Sequence, residues 1–126
     1  MGITNREYGR RTGINYSIVV PVSFVTANQG AYYVYFRRSV TIKSIAGAVT
    51  GAIGGTDNGT ITGANSTGSS SGGVLTATAS DAFGTQYAAV SPTTNNTVAA
   101  GGYYKLTTAK TTTGGTVNVT LEVETA

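Results

Sequence analysis

Two aspartates and eight tyrosines are the side chains of this 126-residue sequence whose types and placement could do chemistry. Asp57 and Asp81 could form a carboxylate pair of the kind that hydrolyses glycosides, which needs two acids held several ångströms apart across a sugar. Both sit in turn-like sequence, where aspartate is common because it hydrogen-bonds its own backbone, so a local structural role is the stronger reading. The run Gly54-Gly-Thr-Asp-Asn-Gly59 also suggests calcium, but it lacks the spaced carboxylates and closing glutamate of a calcium loop and reads as a tight turn. Histidine and cysteine are both missing. That excludes a Ser-His or Cys-His nucleophile system, ordinary zinc ligation and any disulfide framework. No enzymatic activity, cofactor or metal is expected.

The tyrosines carry the second signal. Tyr8, Tyr16, Tyr32, Tyr33, Tyr35, Tyr87, Tyr103 and Tyr104 include adjacent pairs at 32–33 and 103–104. In a strand, adjacent side chains point to opposite faces, so one member of each pair must lie outside the core or in an interface. Exposed aromatic rings beside Arg37-Arg38 could stack the bases of a single strand. Tyrosine is also a favoured residue of protein interfaces, and the body holds few other basic residues, so subunit packing is preferred and nucleic acid is not expected. The interface candidates are Tyr33, Tyr35, Arg37 and Tyr103.

Charge is distributed unevenly. The net value is +3, yet residues 1–43 alone carry +5, from Arg6, Arg10, Arg11, Arg37, Arg38 and Lys43 against Glu7. The remainder is acidic by two charges. Residues 1–13 show neither helical nor strand periodicity and contain three glycines, so they read as a basic arm suited to an acidic partner. Arg6, Tyr8, Arg10 and Arg11 are its candidate contact residues. No apolar signal core follows the first basic residues, and the longest apolar runs are far shorter than a membrane span, so a soluble protein made in the cytoplasm of its host is expected. The Asn-X-Ser/Thr matches beginning at residues 15, 58, 65, 95 and 118 are coincidences of an Asn- and Thr-rich composition.

The elements that must position these residues are strands. Glycine (18 residues), threonine and alanine dominate, while the usual helix formers are scarce, so almost no helix is expected. Alternation is strongest from Ala31 to Ile53. Tyr32, Val34 and Phe36 share one face, with Tyr33, Tyr35 and Arg37 on the other. The apolar phase then moves from Val40 and Ile42 to Ile45, Val49 and Ile53, which predicts one long strand bent by a bulge near Lys43-Ser44. Before it, Ile14–Thr26 reads as a strand in which Pro21 demands a sheet edge or a break, followed by a hairpin turn at Ala27–Gly30. After it come short strands at 60–64 and 74–80, the latter with Leu75, Ala77 and Ala79 facing in, and a small, polar loop at 65–73 between them. Residues 82–90 are weakly patterned, and 97–108 reads as two strand pieces bent at Gly101-Gly102. A turn at Thr111–Gly115 closes a further hairpin into the cleanest strand, 116–124, with Val117, Val119, Leu121 and Val123 on its dry face. About eight strands in one domain of residues 14–126, preceded by the arm 1–13, is the pattern of a sandwich.

From Val40 onward the sequence resembles the head decoration (cement) and head-fibre proteins of tailed bacteriophages. The resemblance lies in Val40-Thr-Ile-Lys-Ser-Ile45, Gly54-Gly-Thr-Asp-Asn-Gly-Thr-Ile-Thr62, Ser91-Pro-Thr-Thr-Asn-Asn-Thr-Val98 and Gly114-Gly-Thr-Val-Asn-Val-Thr-Leu-Glu122. It implies a jelly-roll-like antiparallel β-sandwich on the outer surface of an assembled capsid, stabilising it, with the major capsid protein as partner and the virion as location. The surplus of tyrosines and small residues on strands adds a homotrimer as the expected state, because closed cyclic symmetry uses up a sticky surface without growing filaments. The alternative is a carbohydrate- or host-binding module of a phage fibre.

Overall fold

The computed structural model describes residues 13–24, 28–68 and 73–126. They form nine strands: β1 (Asn15–Ser23), β2 (Asn28–Tyr35), β3 (Val40–Gly51), β4 (Gly59–Asn65), β5 (Val74–Ala77), β6 (Gln86–Val90), β7 (Thr97–Val98), β8 (Tyr103–Lys110) and β9 (Thr116–Thr125). No helix occurs among the described residues. One sheet, hereafter sheet A, has the order β1-β9-β3-β6, with β7 also pairing β3; the other, sheet B, has the order β2-β8-β4-β5. Every pairing is antiparallel. Apart from β4–β5 and the short step from β6 to β7, every connection changes sheet, so neighbours in space are distant in sequence. That strand order is a jelly roll, two packed sheets that share one core. The fold expected from the sequence is the fold observed.

The core follows from period-two patterning. On β9 the side chains of Val117, Val119, Leu121 and Val123 are fully buried, while Asn118, Thr120 and Glu122 on the other face are only partly so. On β8 the buried positions are Tyr104, Leu106, Thr108 and Lys110. The inner faces of the two sheets meet through one continuous cluster that includes Ile42, Ile45, Ile61, Leu75, Leu106 and Leu121. Tyr104 lies in this cluster because β4 makes room for it: a Cβ added at Gly63 would stand 2.2 Å from the Tyr104 hydroxyl and 2.7 Å from its ring carbons. Gly63→Ala is therefore expected to overpack the core and cost about 1–3 kcal/mol in urea unfolding. A neutral substitution would show that the Tyr104 ring can swing aside.

Several local expectations hold. Pro21 lies in β1, an edge strand, where a missing donor breaks no ladder. The register of β3 against β9 shifts between Ile42 and Ser44, as the change of apolar phase requires. The break at Gly101-Gly102 separates β7 from β8.

Other expectations are overturned. The stretch 31–53 is not one bent strand: it divides at residues 36–39 into β2 of sheet B and β3 of sheet A. The exposed Arg37-Arg38 pair interrupts the apolar alternation there and sits in the turn that changes sheet. Neither proposed hairpin exists, since β1 pairs β9 whereas β2 pairs β8. The five residues 111–115 likewise carry the chain from β8 in one sheet to β9 in the other, with Gly114 and Gly115 at φ of 123° and 119°. Stacked sheets lie about 10 Å apart, a gap that such a short connection spans easily. The strand expected to reach Ser80 stops at Ala77, because Ser80 adopts a φ of 70° and turns the chain toward β3. Ala79 consequently lies in that turn, where its N–H donates to Asn58 Oδ1.

Candidate functional site

The outer face of sheet B gathers the tyrosines. Cross-strand register sets Tyr33 opposite Lys105 and Tyr35 opposite Tyr103. The Tyr103 ring lies 5.1 Å from that of Tyr33 and 5.8 Å from that of Tyr35, at interplanar angles of 85° and 71°. These are edge-to-face contacts, which match the positive edge of one ring to the negative face of another. Tyr33 remains 50% and Tyr35 72% exposed. Their sequence neighbours are turned inward as the alternation requires: Tyr104 is fully buried, and the Tyr32 hydroxyl bonds the Ser23 backbone. Three of the four interface candidates, Tyr33, Tyr35 and Tyr103, thus form one cluster, while Arg37 is exposed in the turn that follows β2.

That turn shares its end of the sandwich with the start of the described chain. Gly13 N–H donates to Thr125 O, and Ala126 N–H donates to Ser39 O, so residue 13, the C-terminus and the turn bearing Arg37-Arg38 are adjacent. The basic candidates Arg6, Tyr8, Arg10 and Arg11 lie outside the described residues, and the chain that carries them joins the body at this basic end.

The aspartates sit at the opposite end, each committed to its own partners. Asp57 Oδ1 accepts from Lys110 Nζ at 2.8 Å and from the Thr112 hydroxyl; its Oδ2 accepts the Thr111 backbone N–H at 2.9 Å and the Thr111 hydroxyl. Lys110 Nζ also donates to Asp57 O at 2.6 Å and to Thr112 Oγ1 at 3.2 Å, and its side chain is fully buried. The hydrogen bond from Lys110, with those from Thr111 and Thr112, holds the Asp57 carboxyl far below the usual carboxylate range. A carboxylate held ionised by so many donors is not available as a proton donor. Asp81 accepts from the Tyr87 hydroxyl at 2.7 Å. Burial, reinforced by that bond and by the Asp81 charge, pushes Tyr87 up to about 12. The two acids are therefore structural ties of two different connections. Among the described residues no group of three acidic side chains gathers into a cation site.

Two further surface features escaped the sequence. The outer face of sheet A holds a shallow trough of about 390 Å³, floored by Ala46 and Ala48 and bordered by Val19, Gln86, Asn118 and Thr120. Its signal was the small residues that alternate with buried ones along β3. Phe83 projects 76% exposed from the connection between β5 and β6. That connection is tied to β3 by Gly84 N–H to Val49 O and Val49 N–H to Thr85 O, and to the segment just after β3 by Ile53 N–H to Asp81 O.

No protein-family model and no curated protein matches the chain. Among solved structures it is similar to one from Bacillus endospore appendages, disulfide-linked pili, at 17% identity and a TM-score of 0.47, over 93% of this chain and 91% of that one. It is also similar to the carbohydrate-binding module CBM36 in complex with calcium and xylotriose, at 18% identity and a TM-score of 0.36, over 91% and 92% of the two chains. A third likeness is to infectious bursal disease virus, Gx strain, at 13% identity and a TM-score of 0.31, over 85% of this chain and 32% of that one. No functional argument rests on likenesses at this level.

Proposed function

We propose that this chain is a structural virion protein that decorates the outer surface of an assembled phage-type capsid and reinforces it. The observation that carries the reading is the cluster of Tyr33, Tyr35 and Tyr103 on the outer face of sheet B, with Tyr33 and Tyr35 exposed, next to the end where Arg37-Arg38 and residue 13 lie. Aromatic residues exposed on a regular sheet are the composition of a protein-contact surface. Copies associate through the body, and the basic segment with Arg6, Tyr8, Arg10 and Arg11 grips the acidic surface of the major capsid protein. Several segments in one assembly bind with an avidity that a single segment does not reach.

Deleting residues 2–13 tests the attachment. The truncated protein is expected to fold and self-associate normally and to lose co-sedimentation with capsids lacking the protein. Decoration by the full chain is expected to weaken with added salt, because contacts between exposed charges are screened beyond about 8–10 Å at physiological ionic strength. Undiminished, salt-independent decoration by the truncated protein would place attachment in the β body.

A glycan-binding module would use the same tyrosines as stacking platforms. The Tyr103 ring stands at 85° to Tyr33 and 71° to Tyr35, so it shares a stacking plane for successive sugar rings with neither. Glycan-array binding abolished by Tyr35→Ala would reverse that preference.

A further inference from the structure

Each sheet ends in an edge strand on the side where β1 and β2 run, and the sequence treats the two edges differently. They lie side by side, because the Tyr32 hydroxyl on β2 donates to Ser23 O and accepts from Ser23 N–H on β1, at 3.1 and 2.9 Å. In an antiparallel ladder, residues that bond the neighbouring strand alternate with residues whose N–H and C=O point away from it. Phe24 donates to Gly115 O and accepts from Gly114 N–H, so even-numbered residues of β1 face β9. The outward set is then Ser17, Val19, Pro21 and Ser23. Pro21 has no N–H, and both Ser23 groups are taken by Tyr32. This edge is blunted twice.

The β2 edge carries neither device. Phe36 donates to Gly102 O and accepts from Gly101 N–H, and Gly30 N–H reaches Thr108 Oγ1, so even-numbered residues of β2 face β8. Ala31, Tyr33 and Tyr35 therefore present their N–H and C=O outward, where no described strand pairs with them. The strand has no proline and no charged residue, and its register with β8 runs unbroken from Asn28 to Tyr35. The edges on the far side are poorer templates: β5 has four residues, and β6 has five with a register shift against β3. A long, regular, uncharged edge is what strand addition requires.

We propose that β2 is an assembly edge on which a second copy of this chain lays its own β2 antiparallel, joining two four-stranded sheets into one of eight. Self-pairing suits this strand because two uncharged copies meet without like-charge repulsion. A register centred on Tyr33 sets each Tyr35 opposite the small Ala31 of the other copy and forms about six backbone hydrogen bonds, two for each of three residue pairs. The same register carries the exposed tyrosine face across the two-fold axis as one surface. A two-fold axis thus replaces the three-fold expected from the sequence, and it does so whether or not the protein binds a capsid.

Sedimentation of the full chain at tens of micromolar tests this. The wild type and Ala31→Ser are expected to be dimers. Ala31→Pro deletes an outward N–H without touching the β8 ladder, and is expected to raise the dimer dissociation constant about tenfold or more, the loss of an edge bond in each copy. Tyr33→Lys keeps the backbone donor but sets two ammonium groups across the axis. It is expected to give a monomer that regains dimer as salt is added, and it decides the matter should the proline variant fail to fold. A wild-type monomer or trimer would overturn the proposal, as would dimers unaffected by Tyr33→Lys. Loss of the dimer on deleting residues 2–12 would overturn it too, by assigning the edge to the N-terminal segment instead.

Discussion

Leu121→Ala is expected to destabilise the protein by about 2–5 kcal/mol, measured as the shift in urea midpoint at constant slope. Leu121 is fully buried on β9, the strand flanked by β1 and β3, with Ile18 and Ile45 as its cross-strand partners. Its neighbours along that inner face, Val119 and Val123, are also fully buried and belong to ladders on both sides, so they cannot collapse into a new cavity without bending two strands. The transfer term and the cavity term therefore add. Val19→Ala on the outer face of β1, where the side chain is 55% exposed, serves as the control and is expected to change stability by no more than about 0.5 kcal/mol. Equal, small effects at the two positions would mean that the inner face of β9 is not dry.

The contrast between buried Leu121 and its neighbours Thr120 and Glu122 was legible in the sequence, because period two alone separates wet from dry on β9. The same rule split the tyrosine pairs correctly, while the missing donor of Pro21 called for a sheet edge or a break, of which the edge is the one observed. What could not be read was which strand lies beside which. The turn at 111–115 has the glycines of a hairpin, yet the same glycines serve equally to step from one sheet to the other; the choice is made by burial of both dry faces against each other, a long-range effect with no local mark. Lys110 fell between these cases. It continues the alternation of Tyr104, Leu106 and Thr108 beyond the strand read at 97–108, and its partner Asp57 lies 53 residues away, across a pairing that no turn signal announces. The assembly edge was hidden for a related reason: whether Ala31, Tyr33 and Tyr35 offer free backbone groups depends on which strand occupies the other side.

The largest effect outside the hydrophobic core is expected at that ion pair. The Lys110 side chain has no exposed surface, and its three ammonium protons are matched by Asp57 O, Asp57 Oδ1 and Thr112 Oγ1. Asp57 keeps 27% of its side-chain surface in water, so the burden of burial falls on the lysine. Asp57→Ala removes the countercharge and leaves an ammonium buried without one, whereas exchanging both partners for apolar residues removes the charge along with its need. The expected order of thermal midpoints is wild type first, Asp57→Ala combined with Lys110→Met close behind, and Asp57→Ala alone far below both. The pH dependence has a definite sign. Because the folded protein holds the Asp57 carboxyl below its usual range, the pair's contribution is fully present above about pH 4 and is lost as the pH falls toward the folded value. The advantage of the wild type over Asp57→Asn should shrink over that acid range, while the apolar double variant keeps a flatter profile. Parallel profiles for all three proteins from pH 7 to strongly acid solution would show that the pair is incidental. Since the pair ties residue 57 to the connection after β8, at the end remote from Arg37-Arg38, sedimentation of Asp57→Asn should be unchanged, which separates what holds this end of the sandwich closed from what joins one copy to the next.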